Sequence, residues 1–502
     1  MWAYITTMRA TVLPRAAALL ALVSAGLLYP SSTAGANVAL TRVSVDPFTN
    51  ATSQHATELE PDTFAAGSTV VGAFQVGRFF NGGASDIGFA RSGDGGRTWD
   101  THGFLPGLTF NSGAPGSPFE RVSDASVAYD AAHRTWLISS IPLTTSVAVP
   151  TVLVNRSIDD GRTWSEPVSI PPPASKNVNL DKNWTVCDNG TASRFRGRCY
   201  TELDNFGEGD VELMSTSSDG GQSWNAPIAT AGHDKGLGGQ PVVQPDGTVV
   251  VPFESLNGKI EAFTSKDGGA SWSRGVEVGG VRFHPVGGNL RTSPLPSAEI
   301  DGAGRVYVAW EDCRFRAKCS SNDIVFTSSS DAVHWTSPAR IPIDPVTSGA
   351  DHFIPGLAVN PATAGNAAQL ALTYYFYPNA GCSGSCQLEV GYISSPDAGA
   401  HWGSAVTLAG PMALNQIAQT SQGPMVGDYI STSFSGSTAT ALFSVGREQP
   451  TATSYDEAMY APATPLAVAT PAQATQPSTT TGVVAPVSGI GTGSTHQALR
   501  DS

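Results

Sequence analysis

Short runs of apolar or alternating residues, separated by turns rich in Gly, Asp and Pro, recur along most of the chain. Residues 261–264 and 323–327 are two such runs, and each ends close to a turn. Runs of this length with period-two alternation predict β-strands, and the turn residues between them predict hairpins. With 54 Gly, 35 Pro and only 14% charged residues, the composition also favours an all-β protein with many turns.

One turn phrase, which we name the Ser-x-Asp turn, recurs six times between predicted strands. In it, Asp and Ser side chains accept hydrogen bonds from nearby backbone amides, and Gly supplies a left-handed backbone. The Trp that closes the phrase supplies a large apolar surface. Repetition over most of the chain predicts an array of similar units. The phrases run from Ser92 to Trp99, Ser157 to Trp164, Ser217 to Trp224, Ser265 to Trp272, Ser329 to Trp335 and Ser395 to Trp402.

The six phrases resemble Asp-boxes, the marker of the sialidase superfamily and of related bacterial-neuraminidase-repeat proteins. The resemblance covers residues 37–461 and implies a β-propeller of four-stranded blades. Six units carry the turn, and residues 427–434, 439–445 and 455–460 form a seventh unit without it. The fourth strand of this unit comes from residues 38–45. We therefore favour seven blades over six, with the ring closed by pairing of the N- and C-terminal strands.

The two ends of the chain differ in composition from the propeller segment. Residues 1–36 contain Arg9 and Arg15, then an apolar stretch and small residues at 34–36, as in a secretory signal peptide. Residues 462–502 are rich in Thr, Ala, Pro and Ser, which predicts a disordered tail. We therefore expect a secreted, extracellular monomer, with attachment to the cell envelope as an alternative and no membrane span after signal removal.

Three short-range cysteine pairs fit the same location, because exported proteins form disulfides. The expected pairs are Cys187 with Cys199, Cys313 with Cys319, and Cys382 with Cys386. No His cluster accompanies them, so we expect no metal site, and no motif predicts a cofactor. The formal net charge of −14 argues against nucleic acid or an anionic membrane as a partner.

The candidate site residues follow from the resemblance. In such a propeller the loops before the first strands and after the second strands lie on one face, opposite the Ser-x-Asp turns. Sialidases hold the substrate carboxylate with three Arg and use a Tyr nucleophile, a Glu that activates it and an Asp as acid/base. The resemblance thus implies catalytic roles for Tyr429, Glu311, Asp124 and Asp181, with Glu254 as an alternative to Glu311. It implies substrate binding by Arg78, Arg291, Arg314 and His352.

Three functions remain open at this point. The first is an exo-glycosidase that hydrolyses terminal sialic acid or a related sugar. The second is a non-catalytic extracellular propeller that binds a glycan or a protein, and a lyase on the same scaffold is a third. The Arg-Ile-Pro motif that sialidases carry ahead of the first Asp-box is absent, so the Arg roles rest on position alone. For single residues, Arg314 as the partner of an adjacent acid and an Asp181–Lys182 ion pair are the simpler interpretations.

Overall fold

The structure, a computed structural model, describes residues 38–450, 454–471 and 473. The predicted signal peptide and most of the predicted tail lie outside these residues. Among the described residues no helix has the length and apolar character that crossing a membrane requires. The described chain is all-β, as predicted, apart from short 3-10 turns at Phe206–Glu208, Gly287–Asn289, Ala317–Cys319, Gly365–Ala367 and Leu414–Gln416.

The strands form consecutive four-stranded antiparallel meanders, numbered here as groups in chain order. Group 1 contains Glu58–Ala66, Thr69–Arg78, Ala84–Ser92 and Thr101–Phe104. Group 2 contains Arg121–Asp130, Thr135–Leu143, Leu153–Ser157 and Val168–Ser169. Group 3 contains Leu180–Cys187, Cys199–Asn205, Val211–Ser217 and Ile228–Ala229. An Ala84–Val122 pair links groups 1 and 2 into one sheet.

The remaining groups follow the same plan. Group 4 has a first strand in two pieces, Gly236–Leu237 and Val242–Val243, then Val249–Ser255, Lys259–Ser265 and Val276–Gly280. Group 5 contains Ser297–Ile300, Val306–Asp312, Asp323–Ser329 and Ala339–Arg340. Group 6 contains Asp351–Val359, Leu370–Tyr377, Gln387–Ser395 and Val406–Ala413. A small hairpin, Ala418–Thr420 with Gly423–Met425, leads to group 7.

Group 7 joins the two ends of the described chain. Its strands are Ser431–Ser435, Thr438–Gly446 and Glu457–Pro462, and its fourth strand is Leu40–Arg42. Leu40 pairs with Pro462 and Arg42 with Tyr460, so the expected pairing of N- and C-terminal strands is present. Leu466–Ala467 also pairs with Thr438–Gly446, so the packed chain continues past residue 461, where we expected the tail to begin.

The Ser-x-Asp turns have the local geometry that the sequence predicts. In the first turn, Ser92 Oγ accepts the Gly96 N–H at 2.8 Å and Asp94 Oδ1 accepts the Thr98 N–H at 2.8 Å. Gly96 has a φ of 86°, which non-glycine residues resist. Trp402, at the end of the last turn, is fully buried. The phrase is thus a structural turn that is fixed to the core by its Trp.

The first strands of neighbouring groups pack against one another, and the first strand of group 7 contacts those of groups 6 and 1. At five junctions a side chain of one group, on its first strand or, for Gln240, between the two pieces of that strand, accepts a backbone N–H from the first strand of the next group. This arrangement satisfies buried amides that no sheet ladder reaches. The pairs are Val127 N with Asp62 Oδ2 (2.7 Å), Thr185 N with Ser126 Oγ (3.0 Å), Ala298 N with Gln240 Oε1 (2.9 Å), Leu357 N with Ser297 Oγ (3.0 Å) and Thr63 N with Ser431 Oγ (3.0 Å).

The junction between groups 3 and 4 departs from this pattern on both sides. In groups 1, 2 and 5 the residue before the amide donor is the acceptor for the next group. In group 3 that residue is Trp184, whose indole has no acceptor, and in group 6 it is Gly356, which has no side chain. The donor position in group 4 is Pro241, which has no N–H. Group 3 lacks the acceptor and group 4 lacks the donor, so this junction leaves no first-strand amide without an acceptor. The first strand of group 4 is also interrupted here, with Gly238 at a φ of 65°.

We expect Ser126→Ala to lower the free energy of unfolding by roughly 1–3 kcal/mol, because the buried Thr185 N–H loses its acceptor. Urea denaturation monitored by Trp fluorescence measures this. Ser337→Ala, at an exposed position, is the control and should change the value by less than about 0.5 kcal/mol. Equal values for the two variants would contradict the assigned hydrogen bond.

Candidate functional site

Bulges in four first strands turn individual residues out of the strand pattern. Glu60, Asp124, Lys182 and Ile354 have positive φ values of 60°, 50°, 38° and 50°, and the strand register shifts at each of them. A left-handed residue at a bulge re-aims its side chain and is a strained conformation for non-glycine residues. Three of these side chains are charged, and the bulges bring them together.

Lys182 is the centre of this charged cluster. Its Nζ lies 2.9 Å from Asp124 Oδ1, 2.7 Å from Asp428 Oδ2 and 3.8 Å from Glu60 Oε1. All four side chains are buried. The ammonium group contacts Asp124 and Asp428, whereas Asp181, the expected ion-pair partner, accepts the backbone N–H of Lys182 through Oδ1 at 2.9 Å.

Arg291 completes the cluster with a bidentate contact to Asp428. Its Nε lies 2.8 Å from Oδ1 and its Nη2 lies 2.5 Å from Oδ2. Although burial opposes ionisation, the charges of Arg291 and Lys182 hold the pKa of Asp428 well below its usual range. Asp428 is therefore a carboxylate that two buried cations share. We name Lys182, Asp124, Glu60, Asp428 and Arg291 the Lys182 cluster.

Arg78 lies beside this cluster, but it donates to a neutral side chain, whereas Arg291 contacts a carboxylate. Its Nη1 donates to Gln75 Oε1 at 2.8 Å, and Gln75 Nε2 in turn donates to Glu60. Within the described residues, Arg78 Nε and Nη2 have no hydrogen-bond partner, and neither has Arg291 Nη1. Burial and the charge of Arg291 lower the pKa of Arg78 to about 10. Arg78 and Arg291, two of the three predicted Arg, thus lie close to the same carboxylates, those of Glu60, Asp124 and Asp428.

Tyr429 lies against the Lys182 cluster without a carboxylate partner for its hydroxyl. The hydroxyl group donates to the Ala125 carbonyl at 3.5 Å, and the ring packs edge-on against Trp184 at 5.1 Å. Burial, with the charges of Glu60 and Asp124, raises the pKa of Tyr429 well above its usual value. A nucleophilic phenolate needs a lowered pKa or a base that takes its proton, whereas here the pKa is raised and the hydroxyl group donates to a backbone carbonyl.

The one cavity that Tyr429 is shown to line is too small for a sugar. The cavity that Tyr429 lines with Lys182, Trp184 and Glu202 has a volume of about 10 Å³. That volume holds roughly one water molecule. Since Arg78 is fully buried and Arg291 is 3% exposed, a glycan would reach these groups only if the surrounding chain moved.

Glu311 and Arg314 lie in other hydrogen-bond networks. Glu311 Oε2 accepts the backbone N–H of Ile354 at 2.9 Å, and the described residues show no contact between Glu311 and Tyr429. Arg314 forms a bidentate pair with Asp312, through Nε at 2.9 Å and Nη2 at 2.7 Å. The interpretation of Arg314 as the partner of an adjacent acid therefore matches the structure, and the three predicted Arg do not converge on one carboxylate.

His352 belongs to a third network. It stacks on Phe376 at 5.9 Å, and its Nε2 lies 3.7 Å from Asp344. Burial lowers the pKa of His352 to about 4. Asp323, Asp344 and His352 have a spacing that could hold a metal ion. Arg316 and Arg340 contact both carboxylates, so this group is already neutralised as an ion-pair network.

The disulfide predictions are confirmed: Cys187 bonds Cys199, Cys313 bonds Cys319, and Cys382 bonds Cys386. Cys187 and Cys199 are directly opposite in the register of group 3. The other two close the loops that follow the second strands of groups 5 and 6. Covalent closure limits the motion of both loops, which favours a preformed surface there.

The comparisons with known proteins show only distant likenesses. No family model matches the chain, and no curated protein matches it. A solved structure described as a Hadza microbial sialidase is 16% identical with a TM-score of 0.41, and the match covers 81% of this chain and 65% of that one. The chain thus spans less than two thirds of that sialidase.

Two further solved structures show the same level of likeness. A Dyadobacter fermentans protein described as of unknown function is 16% identical with a TM-score of 0.46, and the match covers 72% of this chain and 99% of that one. The Trypanosoma rangeli sialidase is 12% identical with a TM-score of 0.42, and the match covers 68% of this chain and 58% of that one. At this level the likenesses carry no conclusion about the activity of this chain.

We expect Asp428→Asn to lower the free energy of unfolding by about 3–5 kcal/mol, because it leaves Arg291 and Lys182 as buried cations without their shared carboxylate. The measurement is equilibrium denaturation in urea. Glu277→Gln, which removes an exposed ion pair with Lys259, should cost less than about 1 kcal/mol. A loss for Asp428→Asn as small as that control would show that the Lys182 cluster does not stabilise the fold.

The pH dependence of stability gives a second test of the buried acids. Burial raises the pKa of Glu254 from 4.5 to about 7. The folded state then holds this proton more tightly than the unfolded state, so the contribution of Glu254 to stability is fully present below pH 4.5 and is lost as the pH rises to about 7. Glu254→Gln should lose less stability between pH 4.5 and 8, at roughly 1.4 kcal/mol per unit of removed shift. Urea denaturation at pH 4.5 and at pH 8 measures this difference. The control, Glu277→Gln, should lose as much unfolding free energy between the two pH values as the wild type does.

Proposed function

We propose that the chain is a secreted, seven-bladed, sialidase-like propeller that binds a glycan outside the cell without hydrolysing it. In this proposal the seven groups are the blades, and the blade of group 7 closes the ring. The cyclic packing of the first strands supports closure, because the first strand of group 7 contacts that of group 1. The three disulfides fit an oxidising, extracellular location.

The observation that carries the non-catalytic assignment is the state of the Lys182 cluster. In a hydrolase of this type the Arg forks must be free to bind the substrate carboxylate. Here the fork of Arg291 is already bound to Asp428, and Lys182 neutralises the same group. The Tyr429 hydroxyl donates to the Ala125 carbonyl, and the adjacent cavity is about 10 Å³. The cluster therefore acts as a structural link between groups.

Two exposed aromatic rings provide a surface for the ligand. Phe80 is 56% exposed in the loop after the second strand of group 1, and Phe110 is 40% exposed in the segment before group 2. Both loops are fixed near Arg121, which donates to Asn81, while Asn111 donates to the Glu120 carbonyl. In the propeller arrangement these loops lie on the face opposite the Ser-x-Asp turns. Exposed aromatic rings on well-ordered loops are suited to stacking against sugar rings.

An exo-sialidase is the second candidate, and one observation favours it. Arg78 and Arg291 both retain buried N–H groups without a partner in the described chain, and both lie close to the carboxylates that surround Tyr429. A substrate carboxylate would satisfy those N–H groups with charge-assisted hydrogen bonds. This function would require the chain around Tyr429 to open.

We expect the purified protein to bind one class of glycan on an array and to release no product from fluorogenic sialosides. Phe80→Ala and Phe110→Ala should each weaken binding by up to about ten-fold, since a ring contact contributes roughly 0.5–1.5 kcal/mol. Ile158→Ala, which removes an exposed apolar side chain from a Ser-x-Asp turn, is the control and should bind as the wild type does. Turnover of a sialoside that Tyr429→Phe and Arg291→Ala abolish would overturn the proposal in favour of the exo-sialidase.

A further inference from the structure

A second cavity, much larger than the one beside Tyr429, lies among the first strands and has a volume of about 260 Å³. All seven groups contribute first-strand residues to its wall, for example Phe64 in group 1, Val186 in group 3 and Phe434 in group 7. It shares only Trp184 and Gln240 with the small cavity. We name it the central cavity.

The central cavity lies toward the ends of the first strands, beyond the Lys182 cluster. Its wall continues into the loops that follow the first strands of groups 3 and 6, at Asn189 and Pro361. Neighbouring strands of these groups are antiparallel, so the loops after the first strands lie at the same end as the Ser-x-Asp turns after the third strands. Phe80 follows a second strand and therefore lies at the other end. A ligand of this cavity is thus separate from a glycan bound on the proposed aromatic surface.

Glu299 places an acid on the wall where other groups have an apolar side chain. Alternate residues of a strand face the same side. The position two residues after the junction acceptor position is Phe64 in group 1, Val186 in group 3 and Ala358 in group 6, and all three line the central cavity. In group 5 the same position is Glu299, which also lines the cavity and is half-buried.

The Glu299 carboxylate has no counter-charge in the described chain. Among the described residues, no Lys, Arg or His lines the cavity, and the one hydrogen bond shown for this carboxylate comes from the Ile300 N–H. Asp62, the other acid on the wall, is already used, because its oxygens accept the N–H groups of Thr63 and Val127, both at 2.7 Å. Acids removed from bulk water normally have a counter-charge. The wall therefore offers an anionic position at Glu299 that a ligand could neutralise.

The ionisation of Glu299 depends on what occupies the cavity. Burial and the charge of Asp62 raise the pKa of Glu299 from 4.5 to about 8. Burial also raises the pKa of Asp62 to about 7, and it raises that of Tyr307, directly opposite Glu299 on the second strand, to about 12. Between pH 6 and 9 the two acids therefore gain negative charge together. A cation beside Glu299 would favour its carboxylate form.

We propose that the central cavity binds a small organic cation, a primary amine whose ammonium group pairs with Glu299 and whose apolar body packs against Phe64 and Val186. Aromatic walls also attract cations. A metal ion fits less well, because the one set of three metal-ligating side chains that converges in the described chain lies elsewhere, at Asp323, Asp344 and His352. The cavity volume equals that of roughly nine water molecules, so we expect an amine of comparable size, with about nine non-hydrogen atoms.

Isothermal titration calorimetry with phenethylamine and its neutral counterpart 2-phenylethanol tests the proposal. We expect one phenethylamine per chain, and binding of the alcohol at least about ten-fold weaker, the scale of one charge-assisted hydrogen bond. Glu299→Gln should weaken binding of the amine by about ten-fold or more and remove most of the difference between amine and alcohol. In the wild type the affinity for the amine should rise from pH 6 to pH 9, because Glu299 loses its proton while an alkyl ammonium group, with a pKa of about 10, keeps its own. The rise should be smaller in Glu299→Gln.

Two control variants separate the central cavity from other sites. Glu254→Gln changes a buried acid that does not line the cavity, and Phe80→Ala changes the proposed glycan surface. Both should bind phenethylamine as the wild type does, and Phe80→Ala should do so whether or not it affects glycan binding. Hexylamine and hexanol repeat the comparison with an unbranched body.

The comparison of amine with alcohol needs only the wild-type protein, so it decides even if Glu299→Gln does not fold. No saturable binding of either amine would overturn the proposal. An alcohol that binds as tightly as its amine would show an apolar cavity without an anionic site. Unchanged binding by a folded Glu299→Gln would exclude Glu299 as the partner of the ammonium group.

Discussion

Every amide that is buried between two sheets must find an acceptor, and this requirement organises the molecule. The first strands of neighbouring groups do not share a ladder, yet their N–H groups are buried from water. At five junctions the side chain of Asp62, Ser126, Gln240, Ser297 or Ser431 accepts the next group's amide. Each of these bonds fixes one group relative to the next.

The same arrangement explains where the charged residues lie. Bulges just before the acceptors of groups 1 and 2 turn Glu60 and Asp124 out of their strands, and a bulge in group 3 does the same for Lys182. Charges on separate groups then meet and neutralise one another around Asp428. The outcome is a buried ion-pair cluster between residues of separate groups, and our proposal of binding without hydrolysis rests on it. Two junctions lack such a bond: that of groups 3 and 4, with Trp184 and Pro241, and that of groups 6 and 7, where Gly356 stands at the acceptor position.

The repeated turns, the disulfides and the strand pairing could be predicted from the sequence, whereas the contacts of single buried side chains could not. The Ser-x-Asp turns, the disulfides and the pairing of residues 40–42 with residues 460–462 follow from local turn chemistry and strand patterns, and all are present. The roles of Gln75, Glu60 and Asp428 could not be predicted, because they depend on a left-handed bulge residue that has no glycine or other sequence marker. Arg314 and His352 were placed on the candidate face by their position after or before a strand, but adjacent acids determine where their side chains lie.

Native-state hydrogen exchange of the first-strand amides tests the central claim most directly. If side chains of the preceding group accept these amides around a closed ring, then Thr63, Val127, Thr185, Ala298 and Leu357 exchange only when the whole protein unfolds. Thr63 is the decisive amide, because its acceptor, Ser431, belongs to the last group. Exchange of Thr63 as fast as that of exposed loop amides, with the others protected, would show that the ring is open between groups 7 and 1. Fast exchange at all five would contradict the whole account.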